Sequence, residues 1–386
     1  MPVFLSNMPA LLYFGSFIIS IFLATAIYLY GNKKQDIVFL LILFIIAVFF
    51  HGLRAPKATD LEVYYENFKS LSSFSEFAWG YSFYIVYYLI SLFTSDIEGF
   101  VFGSSFILLF FFLLSICLIV NGKCKSLIFL IFILSPSFTD MAFNTLRQGM
   151  AIPFLVLSIY YLYYKKILLS LFLIIISAGF HWNAPLIYIF AVLSLFIYKK
   201  NLRYFPSFLI IMAIVSVFYN LDLARQALKL FSFSNTISVA LQVKMDAYLN
   251  AGVDGLNYYE LDIPRRIFSI IELVFYISVL RQFSIKGVKN QTYTSSRCNI
   301  ENYMFICFLI SCLYSISLIS MTWYFRNFYW ALGIAPVLLG VYLSKPDLYL
   351  SKNKINFVLL IFIIVAISII TTWRSGVMQM SYSSIF

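Results

Sequence analysis

A chain of 386 residues with 62% hydrophobic and 20% aromatic side chains but only 11% charged ones is not a soluble domain, in which roughly a quarter of residues carry charge. The net charge of +11 is scattered over short turns between apolar runs, which argues against a nucleic-acid surface and for a membrane topology signal. The expected class is an all-α polytopic membrane protein, because helices satisfy their own backbone within hydrocarbon.

Along the chain, lysines at Lys33-Lys34, Lys123 and Lys125, Lys165-Lys166, Lys199-Lys200, Lys286 and Lys289, and Lys345, Lys352 and Lys354 mark cytoplasmic turns. They predict spans over about 11–30, 37–53, 99–120, 126–140, 149–164, 167–181, 184–198, 205–220, 266–281, 303–320, 328–344 and 356–373. That makes about twelve transmembrane helices in a single integral-membrane domain, 1–386. The first apolar stretch lacks a basic flank and a small-residue cleavage site, so it reads as a span and not a cleavable signal.

The first large outer loop, 54–98, contains one further apolar stretch, 81–93. Thirteen residues make only ~20 Å of helix, and a crossing here would break parity with the lysines at 123 and 125. The stretch is therefore expected as a juxtamembrane or re-entrant helix; a thirteenth span with a reversed amino-terminal half is the alternative. Within this loop Asp60 is a candidate base or hydroxyl-binding group, or else a loop acid paired with Arg54 or Lys57. The spacings Asp60-x-Glu62 and Asp96-x-Glu98 resemble metal-holding acid pairs but are common, and a metal-independent site is expected.

Two hairpins follow. The first, 126–164, carries Asn144, Arg147, Gln148 and Ala151 at three- and four-residue spacing, which places them along one helical face. The second lies between Lys165-Lys166 and Lys199-Lys200, with His181-Trp182-Asn183 at its tip. Its sixteen residues per arm reach only ~24 Å, short of the ~30 Å hydrocarbon thickness. Arg147, Gln148 and His181 should then sit below the outer surface, and polar groups at such depth are functional candidates by default.

The second outer loop, 221–265, mixes Arg225, Tyr258, Tyr259, Arg265 and Arg266 with acids, and Arg326 closes the late run Trp323-Tyr324-Phe325-Arg326. Glu272 reads as a structural partner of Arg265 or of a neighbouring helix. With this topology the cytoplasmic side holds thirteen Lys and three Arg, the outer side four Lys and seven Arg. Only the planar guanidinium forms bidentate bonds to phosphate or carboxylate. An anionic ligand is expected on the outer face, held by Arg54, Arg147, Gln148, Arg225, Arg265, Arg266 and Arg326, with Asn144, Asn183, Tyr258 and Tyr259 as sugar-binding candidates. The five cysteines lie in or beside apolar runs without a C-x-x-C pair, and no nucleotide loop, zinc-protease or hydrolase-elbow motif occurs.

The series Gly52-x-Arg54, Thr59-Asp60-x3-Tyr64-Tyr65, Asn144-x-x-Arg147-Gln148-x-x-Ala151, His181-Trp182-Asn183-Ala184 and Tyr324-Phe325-Arg326 resembles the EpsG family of polysaccharide polymerases, close to the bacterial O-antigen polymerases (Wzy). The likeness runs in order over most of the chain. It departs at Asn183, where serine is frequent, and at Ala55-Pro56-Lys57-Ala58, which replaces a glycine-rich approach. The resemblance implies a GT-C-like glycosyltransferase of the bacterial inner membrane. Such an enzyme polymerises polyprenyl-diphosphate-linked oligosaccharide repeat units, for O-antigen or exopolysaccharide, at the periplasmic face. Arg147, Arg266 and Arg326 would hold the diphosphate, Arg54 or Arg225 would guide a second one, and Asp60 or His181 would accept the acceptor proton. The implied partners are the lipid-linked oligosaccharide, the bilayer and a chain-length regulator protein, with no cofactor. An O-antigen ligase-like transferase and a non-enzymatic flippase are the alternatives; a flippase should carry charges in a central cavity between related halves, whereas the intramembrane polar residues here cluster toward one face.

Overall fold

The computed structural model describes residues 8–54, 59–71, 79–198, 202–221, 223, 257–290, 300–321, 323–345 and positions 358, 361–363, 365–367 and 370. Its elements are α1 (Met8–Tyr30), α2 (Lys33–Gly52), α3 (Thr59–Lys69), α4 (Tyr81–Ser91), α5 (Ile97–Ile119), α6 (Lys125–Ile133) and α7 (Pro136–Phe143). They continue with α8 (Leu146–Tyr163), α9 (Ile167–Phe180), α10 (Ala184–Ile197), α11 (Phe205–Phe218), α12 (Ile263–Asn290), α13 (Ile300–Ser317) and α14 (Phe325–Leu343). A 3-10 turn forms at Tyr258–Glu260, and no strand occurs among the described residues. Helices stand where the spans from 11–30 to 328–344 were predicted, while 356–373 lies largely outside the described residues.

Four helices are long and apolar enough to cross a bilayer alone, Lys33–Gly52, Ile97–Ile119, Ile263–Ser284 and Ile300–Ser317. The pair α6 and α7 makes a fifth if it counts as one bent span. Length and apolarity thus support four or five crossings by themselves, fewer than the twelve expected. The reason is partly length: α9, α10 and α11 have 14 residues each, and such a helix rises ~21 Å against a ~30 Å core.

The chain forms two compact units, Met1–Val192 with Pro336–Phe386, and Leu193–Ala335. In the first, α8 and α9 make the most extensive pairing, and α5 packs on both α2 and α8. Serines lace the α8 and α9 hairpin. Ser158 Oγ donates to the Ser170 carbonyl at 2.7 Å, Ser170 Oγ donates to the Ser158 carbonyl at 2.8 Å, and Ser177 Oγ donates to the Ala151 carbonyl at 2.8 Å.

Between α6 and α7 the axis bends by 67°. The cause is local, because proline has no N–H and disfavours helix in the residue before it. Ser135 exploits the break as an N-cap, its Oγ accepting from the Phe138 N–H at 3.1 Å, with Pro136 in the first turn. At the lysine-bearing end, Asp36 of α2 is fully buried and caps α6 from outside that helix. Its carboxylate accepts from the N–H groups of Lys125 (3.0 Å) and Ser126 (3.1 Å) and from Ser126 Oγ (2.6 Å). Cys124, just before α6, is buried with its thiol pushed up to about 12 by desolvation, which suits a packing residue.

A short helix, α4, stands within the apolar stretch 81–93, and it is docked on α9. Ser82 Oγ donates to the Ile176 carbonyl at 2.8 Å and the Tyr81 hydroxyl to the Ile175 carbonyl. Two glycines permit the approach: Gly80 adopts φ +96, and a Cβ there would lie 2.4 Å from the Gly179 carbonyl oxygen. In the second unit α11 packs on α12 and α13.

Replacing Asp36 with Ala strips α6 of two backbone caps and a hydroxyl partner. The expected cost is about 1–3 kcal/mol, read as a lower melting temperature of the detergent-solubilised protein, with Asp36→Asn intermediate.

Candidate functional site

Seven of the predicted site residues fall in the first unit: Arg54, Asp60, Asn144, Arg147, Gln148, His181 and Asn183. Tyr258, Tyr259, Arg265, Arg266 and Arg326 fall in the second. Arg225 lies outside the described residues.

Arg147 stands in the first turn of α8, half-buried. Its Nε donates to the Phe180 carbonyl at the end of α9, at 3.3 Å, so the serine-laced hairpin fixes the guanidinium by one edge. The guanidinium carbon lies 5.5 Å from the centre of the Trp79 ring, and Tyr64 and Tyr87 are its electrostatic neighbours. Among the described residues the two terminal amino groups of Arg147 meet no protein acceptor and no carboxylate. Nor does the Thr145 side chain cap α8, and the positive end of the helix dipole adjoins the same arginine.

The first outer loop builds the aromatic wall. Trp79 meets Tyr64 edge-on at 5.0 Å and stacks near Phe83 at 6.2 Å, while the Tyr87 hydroxyl donates to the Tyr64 carbonyl at 2.8 Å. Of these, Tyr64 was visible in the Tyr64-Tyr65 motif. Trp79 was not singled out, although an aromatic beside Gly80, just ahead of the short apolar run, was the signal. Asp60 lies in the first turn of α3, partly exposed, and Asp96 is spent as the N-cap of α5, accepting from the Gly99 N–H at 2.6 Å. No three His, Cys, Asp or Glu side chains gather as a metal-ligand set among the described residues.

His181 ends α9 in extended conformation, and its Nδ1 accepts from the Asn183 N–H at 3.3 Å, closing the hairpin tip. Gln148 is buried beside Arg147 in sequence, and Asn144 Nδ2 donates to Asp140 Oδ1 at 2.7 Å. Gly149 lets α8 approach its neighbours: a Cβ there would touch Leu108 of α5 at 3.0 Å and Met141 of α7 at 3.2 Å.

Arg54 has a different setting. It is 3% exposed, donates from Nη1 to the His51 carbonyl and Ser105 Oγ, both at 2.9 Å, and from Nη2 to the Ala142 carbonyl at 2.7 Å. Phe143 covers it, its ring centre 4.3 Å from the guanidinium carbon. Gly52 allows the end of α2 to come this close to α5, since a Cβ would lie 2.6 Å from the Phe102 ring. Arg54 thereby ties α2, α5 and α7 together.

In the second unit Arg266 does the same for its loop. Nε donates to the Leu261 carbonyl (2.9 Å), Nη1 to Val217 (3.1 Å) and Nη2 to Tyr259 (2.6 Å). Tyr258 beneath it is fully buried, with burial pushing its hydroxyl up to about 12. The Tyr259 hydroxyl accepts from the Leu221 N–H at 2.8 Å. Arg265 is exposed and lies 3.7 Å from Asp262. Arg326 lies 4.9 Å from the ring centre of Trp323, itself at φ +59.

Compared with known protein families, residues 37–384 match the EpsG family. The chain belongs to the EpsG family. Neither a curated protein nor a solved structure matches it. EpsG is a polysaccharide polymerase-like family, so a glycosyltransferase-like polymerase role, exercised by a helical membrane protein, attaches to this chain at that level.

The three acceptors around Arg54 are buried, so a lysine there cannot replace its fork. Arg54→Lys should lose about 2–4 kcal/mol, seen as reduced accumulation and a lower melting temperature in detergent, whereas Arg265→Lys should leave both unchanged.

Proposed function

We propose that this EpsG-family protein polymerises polyprenyl-diphosphate-linked oligosaccharide repeat units at the periplasmic face of the inner membrane, as a GT-C-type glycosyltransferase with twelve crossings. The observation that carries the reading is the state of Arg147: one edge is fixed on the Phe180 carbonyl, and both terminal amino groups are open among the described residues. A half-buried guanidinium in that condition suits an anion with two adjacent oxygens. The uncapped start of α8 adds backbone N–H groups suited to phosphate.

Depth supports a lipid-borne substrate. If the paired lysines before α9 stand at the cytoplasmic surface, its 14 residues rise ~21 Å. The Phe180 carbonyl and Arg147 then lie ~9 Å beneath the outer edge of a ~30 Å core. A diphosphate attached to an isoprenoid reaches that depth with its tail in lipid, while a free sugar nucleotide does not.

In the reaction, the glycan's anomeric carbon leaves its lipid diphosphate for a hydroxyl of a second lipid-linked unit. Arg147 binds the diphosphate and stabilises the charge that grows on it as the glycosidic bond breaks, work that a metal ion does in other transferases. Aromatic groups of the first outer loop suit the apolar faces of sugar rings. Arg225, Arg265 and Arg326 remain candidates for the second diphosphate. A dedicated chain-length regulator would act on this polymer in the same membrane.

Arg147→Ala in a complemented null strain should remove the polysaccharide ladder, a loss of ~10² or more in rate, and leave single-unit capped lipid. An unchanged ladder at equal protein level would refute the assignment.

A further inference from the structure

Asp140 has no part in the site as built from the sequence. Yet between residues 99 and 221, a stretch that runs from the first turn of α5 through α11, it is the sole acidic residue. A carboxylate in such surroundings is costly, and it persists where it is used. It sits in α7, the arm beyond the 67° break, half-buried, with Oδ1 accepting from Asn144 Nδ2 at 2.7 Å. Its backbone carbonyl accepts from the N–H groups of Asn144 at 2.8 Å and Thr145 at 3.1 Å. Arg147 follows Thr145 by two residues, no more than ~7 Å of chain. The contacts of Arg147 among the described residues are Phe180, Trp79, Tyr64 and Tyr87, so its guanidinium is turned to other groups than this carboxylate.

We infer that Asp140 is the catalytic base that takes the proton from the acceptor hydroxyl. The inference rests on the reading of the chain as a polymerase of lipid-linked glycans. As the step proceeds, the acceptor O–H bond breaks and its proton passes to the Asp140 carboxylate. The oxygen's electron pair forms the new bond to the anomeric carbon of the donor. The bond from that carbon to the phosphate oxygen breaks, its electron pair leaving on the diphosphate that faces Arg147. Asp140 and Arg147 flank the break between α7 and α8, seven residues apart in sequence. Asn144 orients the carboxylate through Oδ1. The other candidates are placed differently: His181 uses Nδ1 to close its own hairpin, and Asp60 belongs to α3 of the outer loop.

The test uses the full-length protein in proteoliposomes with a purified lipid-diphosphate repeat unit, following longer lipid-linked products and release of polyprenyl diphosphate. Asp140→Asn keeps an oxygen for Asn144 and should keep the melting temperature. Its turnover should fall by ~10² or more, with the apparent KM for the repeat unit within about threefold of wild type, since general base removal acts on the chemical step. Turnover within threefold of wild type would overturn the inference while Arg147→Ala, if inactive, would still uphold the polymerase reading. A parallel loss of donor binding would overturn it too, by exposing a structural role. If wild-type protein makes no longer product, both readings fall together. Should the amide not accumulate, Asp140→Glu and Asp140→Gln decide at matched protein level: elongation by the first alone supports the base, and equal elongation by both refutes it.

Discussion

A guanidinium removed from water must have its donors met, and that requirement organises this molecule. Each unmet donor to a charged group in a low-dielectric interior costs a few kcal/mol. Arg54 sends its Nη donors to two carbonyls and a serine hydroxyl from three helices, and Arg266 sends its three nitrogens to carbonyls of α11 and of the segment before α12. Both are structural ties. Arg147 is held by one bond to the Phe180 carbonyl, and among the described residues no protein acceptor meets the rest of its fork. Arginines alike in sequence are thus unlike in setting: Arg54 and Arg266 build the frame, and Arg147 is held by one edge.

The frame that presents Arg147 follows from small local choices. Ser135 and Pro136 break what would have been a straight run, which turns α7 aside before α8 begins. Reciprocal serine bonds draw α9 along α8, so the last carbonyl of the short α9 arrives at the first turn of the longer α8. Glycines at 80 and 179 admit α4 against α9, carrying Trp79 to the guanidinium. Each device costs little, and each is specified by residues whose side chains are small or whose backbone is constrained.

Much of this was legible in the sequence. Apolar runs bounded by lysines located the helices, since length and period are encoded locally, and the short arms of the second hairpin foretold a tip of limited reach. The Arg147 and His181 islands stood out because polar groups there are expensive. The rest was hidden for definable reasons. Ser135-Pro136 was a readable break, obscured by strongly apolar residues ahead of it. Arg54 and Arg147 look alike in sequence, since what separates them is backbone carbonyls contributed by residues 51, 142 and 180, and a carbonyl carries no sequence signature. Asp140 was legible too, once acidic residues were counted along the whole stretch and not sought as pairs.

The surroundings of Arg147 also explain why its neighbours are aromatic and not acidic. A carboxylate at contact distance would satisfy the guanidinium fully and would have to be displaced, together with its charge, before any diphosphate could bind. An aromatic face holds the cation by only ~0.5–2 kcal/mol and leaves its N–H groups directed elsewhere, so Trp79 can orient the guanidinium without competing for the anion. Tyr64 and Tyr87 extend that neutral wall. Asp140 of α7 is tied to Asn144 and is not among the contacts of Arg147, which leaves the guanidinium its positive charge. Such a wall yields a site that is weakly held when empty and strongly engaged when filled, which is the condition for binding energy to be spent on the transition state instead of on the protein itself.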